Sequence, residues 1–137
     1  MKRMEKDAMI RPTSEAKGYL DHLKKQSVFR RAVDAYAFAA AFAMNQGMDI
    51  STVSLKGRYD LTDVGTLDEE VRLALEAGAA VLAKRNGLEL TDSSSVIDVV
   101  TKYAEAGLPA LKERWSGKSG LQIQNDIQKI LSDSAQL

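Results

Sequence analysis

The chain has 137 residues, is 45% hydrophobic and 28% charged, and carries no net charge, which is the profile of one globular domain rather than a disordered segment. It contains no cysteine and a single histidine, so disulfides and thiolate-bound zinc are excluded, and a metal site or catalytic triad built on histidines has little material. The balance of charge is uneven: residues 1–31 hold nine Lys/Arg against four acids, and the other 106 residues hold ten against fifteen.

The opening "MKRMEKDAMIRP" is basic but lacks the apolar run of a secretory signal, so a cytoplasmic protein is expected, with residues 1–10 as candidates for disorder. In "RPTSEAKGYLDHLKKQ", Pro12 and a Thr13/Ser14 cap introduce a helix whose apolar stripe is Ala16, Tyr19, Leu20 and Leu23. Gly18 weakens it by about 1 kcal/mol relative to alanine. Next comes "SVFRRAVDAYAFAAAFAMNQG", residues 27–47, with Ser27 as its expected cap and Gly47 as its left-handed stop. Its apolar part is well short of the roughly 20 residues that a membrane span needs, so no membrane partner is expected.

Residues 48–66, beginning "MDISTVSLKGRYDLTDVG", lack helical period and carry β-branched residues and two glycines. They read as a long loop, with room for a short strand or hairpin near residues 50–60. "TLDEEVRLALEAGAAVLAKRNG" is the clearest helix: Thr66 is the expected cap with Glu69 three residues on, and Val71, Leu75, Ala79 and Leu82 draw one face. "TDSSSVIDVVTKYAEAG" is a further helix, capped by a serine and closed by Gly107, and Pro109 suits the first turn of a separate "LPALKERW". A flexible linker, residues 116–120, leads into the amphipathic "LQIQNDIQKILSD". The expected architecture is all-α, one domain over residues 1–137, a bundle of five or six helices.

The helix of residues 27–47 has two large apolar stripes. Phe29, Val33, Tyr36 and Met44 lie along one side, and Phe38 and Phe42 lie nearly opposite, with alanines between. A helix apolar on nearly all sides belongs either in the middle of a bundle or at an interface between subunits. These six residues are therefore the candidate core or homo-oligomer interface.

A Val-Phe start at Val28 and Phe29, then Asp34, Tyr36, Phe38, the run Ala39, Ala40, Ala41, and Gly47, resembles a segment of small accessory proteins from bacterial DNA-phosphorothioation (Dnd) defence loci. The upstream "IRPTSEAKGYLDHLKK" resembles the lead-in of that family. The resemblance covers about residues 9–50, a third of the chain. It departs from the pattern after the glycine, where "GMDI" stands in place of basic residues. It implies an accessory or regulatory role in DNA modification and restriction, with no catalytic residue and no cofactor. DNA and other proteins of such a system are the implied partners.

Other constellations carry little. "YDLTDVGTLDEEV" aligned as a calcium loop puts Val64 and Val71 where oxygen ligands are required. "WSGKSG" lacks the earlier glycine of a phosphate-binding loop. His22 reads as a solvated side chain, Trp115 as a packing residue, and neither a metal site nor an enzyme is expected. The basic set is Arg11, Lys17, Lys24, Lys25, Arg30 and Arg31. Arg30 and Arg31, placed at the start of a helix, oppose its dipole and ask for an anionic partner, either phosphate or a carboxylate of the fold. The leading expectation is a non-enzymatic accessory protein touching DNA or a partner through this basic region. One alternative is an adaptor or inhibitor docking through the apolar helix. Another is a ribbon-helix-helix regulator whose strand, near "DAMIR", pairs with its twin.

Overall fold

The computed structural model describes residues 2–135 and is the expected all-α bundle. Its described helices are α1 (Ser14–Lys25), α2 (Ala32–Asn45), α3 (Glu69–Arg85), α4 (Ser93–Arg114) and α5 (Gly120–Ala135). A minimal antiparallel pair accompanies them, β1 (Met9–Ile10) with β2 (Thr62–Asp63), in the register Met9 opposite Asp63.

α1 starts as its sequence demands, with the Thr13 hydroxyl accepting from Ala16 N–H. It ends at Lys25 with Gln26 as its C-cap, where the sequence stretch itself ends. Ser27 adopts φ 59°, Val28 N–H bonds to Leu23 O at 3.1 Å, and Ser27 N–H bonds to Lys24 O at 3.0 Å. This double closure satisfies the orphan carbonyls of α1 and buries Val28 against the same core as Leu23. Ser27 is thus the stop of α1, and α2 begins five residues later, with Arg31 in the capping position.

α2 is the centre of the bundle. It packs against α1, α3 and above all α4, and Val33, Ala35, Tyr36, Ala37, Ala39, Ala40 and Ala43 are all buried. Its alanines allow this because a helix with methyl side chains can be approached closely on several sides. The fully buried Tyr36 hydroxyl lies 2.8 Å from the Thr101 hydroxyl of α4, the partner that a buried phenol requires. Burial pushes the Tyr36 phenol well above its ordinary pKa.

α4 absorbs what the sequence divides into two helices. Gly107 and Pro109 both lie inside its 22 residues. Gly107 is buried at the crossing with α2, where a Cβ would stand 2.3 Å from the Ala39 carbonyl oxygen. Close packing, not termination, explains that glycine. Asp92 rather than a serine caps α4, in a reciprocal box with Ser95. α3 starts at Glu69 with Asp68 in the N-cap position and no side-chain cap bond, because Thr66 closes the 3-10 turn Val64–Thr66 by donating its hydroxyl to Asp63 O. The buried side of α3 is rotated from the expected face: Leu75 and Ala79 are buried, Val71 is exposed, and Arg72 and Glu76 are buried.

The N-terminal segment is a strap over this core. Met4 is buried, its N–H donates to Glu76 Oε2 at 2.7 Å, and Glu5 N–H donates to the Ser93 hydroxyl. The segment then runs alongside residues 57–65, through Gly65 N–H to Lys6 O, Val64 N–H to Ala8 O, Leu61 N–H to Ile10 O and Tyr59 N–H to Pro12 O. Residues 4–10 thus lie against the core and residues 57–65 through these bonds. The expected short strand is Thr62–Asp63, paired with Met9–Ile10, and Arg58 adds an isolated bridge to Thr13.

α5 is latched to the end of α4. Asp126 accepts from Arg114 Nε at 2.6 Å, Arg114 Nη2 at 2.9 Å and the Trp115 indole N–H at 2.8 Å. The Arg114 guanidinium first, and the indole after it, holds the Asp126 carboxyl down at about 2. A carboxyl whose pKa is lower folded than unfolded stabilises the fold above its unfolded pKa. The contribution is complete above about pH 4 and is lost as pH falls towards 2. Asp126→Asn is expected to be less stable than wild type at neutral pH, and urea unfolding across that acid window should show the gap closing.

Candidate binding groove

The structure separates the basic residues singled out in the sequence into two groups. Arg11 pairs with Asp60 at 3.0 Å and Lys17 with Asp21 at 3.3 Å. Arg31 grips Asp34 with Nε at 3.1 Å and Nη2 at 2.7 Å, donates Nη1 to Thr66 O at 2.7 Å, and stands 3.9 Å from Asp68. Its hydrogen bonds with Asp34 raise its already high pKa further. The anionic partner that Arg31 asks for is thus supplied by its own fold, and Arg31 orients the entry to α2 instead of facing outward. Lys24, Lys25 and Arg30 are exposed and form no ion pair among the described residues. They gather where α1 ends and the chain turns towards α2.

The apolar set is accounted for within one chain. Val33 and Tyr36 are buried, and Phe29, Phe38, Phe42 and Met44 are partly buried against the same core. Phe38 sits 5.7 Å from Phe29 and 6.1 Å from Trp115, ring centre to ring centre. Phe29 lies in the bend before α2, so it is not on the helix at all. α1, α3 and α4 cover most of α2, while Ala41 is exposed and Met44 stays partly exposed beside Val81 and Leu82 of α3. The large exposed apolar side chains include Val71 and Val81 on α3 and Leu121 and Leu131 on α5, with Val81 lining a groove shared with Ala41 and Met44 of α2. Met9–Ile10, the strand of the ribbon-helix-helix reading, pairs within this chain with Thr62–Asp63.

A groove of mixed character runs along α1, between it, the loop at Val53 and the end of α4. Its smaller section has a volume of about 270 Å³, with Ala16, Val53, Leu108 and Pro109 as apolar walls and Glu15 and Glu105 beside them. Glu105 is held there by Thr13, whose N–H and hydroxyl donate to its two oxygens at 3.1 and 2.7 Å. The wider section, about 940 Å³, opens towards the turn between α4 and α5 and carries His22, Lys112 and Lys118. Glu15, Tyr19 and Lys112 line both sections, so the two are continuous.

Tyr19 is the hinge point of this surface. Its ring stacks on His22 with centres 5.9 Å apart, and the Lys112 ammonium lies 5.8 Å from the ring centre. Partial burial raises the Tyr19 phenol pKa. α1 can offer this face because Gly18 leaves open space between Glu15 and His22, with no atom within 4 Å of where its Cβ would stand.

Compared with known proteins, the chain matches no family model, no curated protein and no solved structure. The groove therefore stands on its own chemistry. Among the described residues no group of three or more His, Asp or Glu side chains could hold a metal ion, and no described helix is long and apolar enough to cross a membrane. The arrangement offers an apolar slot, an aromatic pair and a cationic mouth, which is the equipment for binding. Sequence reasoning singled out His22 as solvated and Tyr19 as part of a helix stripe, but not Lys112, Lys118 or Val53. No local signal could have joined them, because they come from three segments that meet only in the fold.

Proposed function

We propose that this chain is a non-enzymatic accessory protein of a bacterial DNA modification and restriction system, located in the cytoplasm, which contacts DNA through Lys24, Lys25 and Arg30. The observation that carries the reading is the state of those three cations: exposed, without ion pairs and close together in the chain, while the neighbouring Arg11, Lys17 and Arg31 are each held by a carboxylate. Cations that the fold leaves unpaired can exchange their counterions for phosphates at little cost. The resemblance of residues 9–50 to accessory proteins of DNA-phosphorothioation loci supports the same context.

A gel-shift titration of double-stranded DNA at two salt concentrations tests this. Wild type should bind more tightly at low salt, and Lys24→Glu/Lys25→Glu/Arg30→Glu should bind weakly, with the salt slope reduced by up to about three. Arg31 is left untouched in this variant, because its loss would disturb the entry to α2. Equal affinity and equal salt slope for the two proteins, or no DNA binding at low salt, would overturn the reading.

A further inference from the structure

We propose that the groove centred on Tyr19 is a docking site for an extended segment of a partner protein, one that carries a large apolar side chain followed by acidic residues. This goes beyond DNA contact: it makes the chain a bridge, with DNA at the end of α1 and a protein along its side.

The groove's own charge distribution argues for that occupant. The smaller section, at about 270 Å³, falls just below the roughly 300–1,000 Å³ of pockets that enclose whole small ligands. It suits one apolar side chain. Ala16, Val53, Leu108 and Pro109 supply apolar walls there, and Tyr19 supplies an aromatic one. The wider section beyond Tyr19 has Lys112, Lys118 and His22 against the single acid Glu15. Around them stand Ser14, Ser116, Ser119, Gln26 and Gln122, side chains that can bond to a peptide backbone lying across them.

A nucleic-acid strand fits the same groove poorly. It carries a phosphate at every nucleotide, so threading it through would set phosphates against Glu15 and Glu105 in the smaller section. A peptide places its charges where its sequence puts them. An apolar anchor between the two glutamates, with carboxylates towards Lys112 and Lys118, satisfies both ends at once. The Lys112 ammonium over Tyr19 stands at the boundary, where the partner would change from apolar to acidic.

The test uses the full chain and a positional-scanning library of fluorescein-labelled peptides, read by fluorescence anisotropy. Two variants change exposed groove residues and leave Lys24, Lys25 and Arg30 intact, and circular dichroism checks their fold. Wild type is expected to select a large apolar residue at one position and Asp or Glu a few residues to one side of it. Lys112→Glu/Lys118→Glu should lose the acidic preference, weakening the selected peptides by about tenfold or more, while keeping the apolar one. Ser54→Trp, which fills the smaller section, should lose the apolar preference. A library with no selected pool, or selection unchanged in both variants, would overturn the proposal. So would oligothymidylate binding that is lost in Lys112→Glu/Lys118→Glu, since that would assign the groove to single-stranded nucleic acid. DNA binding in the gel shift depends on other residues, so either proposal can fail while the other stands.

Discussion

Gly107→Ala is expected to destabilise the protein by about 3 kcal/mol or more, lowering the thermal midpoint by roughly 10 °C for a domain of this size. The reason is geometric. Alanine is the better helix former, and in an open helix the exchange would stabilise by up to about 1 kcal/mol. At Gly107 the new methyl would meet the Ala39 carbonyl oxygen at 2.3 Å and the Ala43 Cβ at 3.3 Å. The first of these is backbone of α2 and cannot rotate away, so α2 and α4 must separate along their largest contact. Gly18→Ala is the matched control. Its site in α1 is open, with nothing within 4 Å, so the same substitution should raise the midpoint slightly. Thermal unfolding followed by circular dichroism reads both. Equal effects at the two glycines would mean that α2 and α4 do not cross as closely as described.

The second large effect belongs to Glu76, whose carboxylate is fully buried. Oε2 accepts the Met4 N–H at 2.7 Å and lies 3.8 Å from Arg72 Nη1, while Oε1 has only Arg3 Nε at 3.5 Å and no hydrogen bond. Arg72 itself is 6% exposed. Glu76→Ala removes the counter-charge of a buried guanidinium and the acceptor that holds the N-terminal strap, and is expected to cost about 3–5 kcal/mol. Replacing both members, Arg72→Met/Glu76→Leu, should recover part of that loss, because it leaves no unpaired buried charge, although the Met4 N–H still loses its acceptor. Urea unfolding of Arg72→Met, Glu76→Leu and the double variant gives the coupling directly. Hydrogen exchange at the Met4 amide should quicken in Glu76→Ala more than at amides in the middle of α4. A cost below about 1 kcal/mol for Glu76→Ala would show that the pair is not what fastens the strap.

Several features were legible along the chain. The Thr13 cap of α1, the stop of α2 at Gly47 with φ 65°, and the amphipathic α5 each depend on residues within a turn or two of one another. The burial of α2 was legible as well, since a helix apolar on nearly every side has to be covered by something. The candidate site was legible only in part. Lys24, Lys25 and Arg30 could be named from sequence, but their difference from Arg11, Lys17 and Arg31 could not. An ion pair such as Arg11 with Asp60 joins residues far apart in the chain. The groove was not legible at all, because Tyr19 and Lys112 meet across two helices.

Sequence alone determined the class of fold, since helical period, caps and stops are set by neighbours three or four residues apart. It also determined that α2 would be covered. Tertiary structure decided what packs on it: α1, α3 and above all α4 of the same chain. Tertiary structure likewise made Gly107 a crossing point, buried Arg72 with Glu76, and tied the N-terminal strap to α3. Each of these turns on which distant segments are neighbours, and a residue's type fixes what it can bond or bury but not which segment the folded backbone will bring to it.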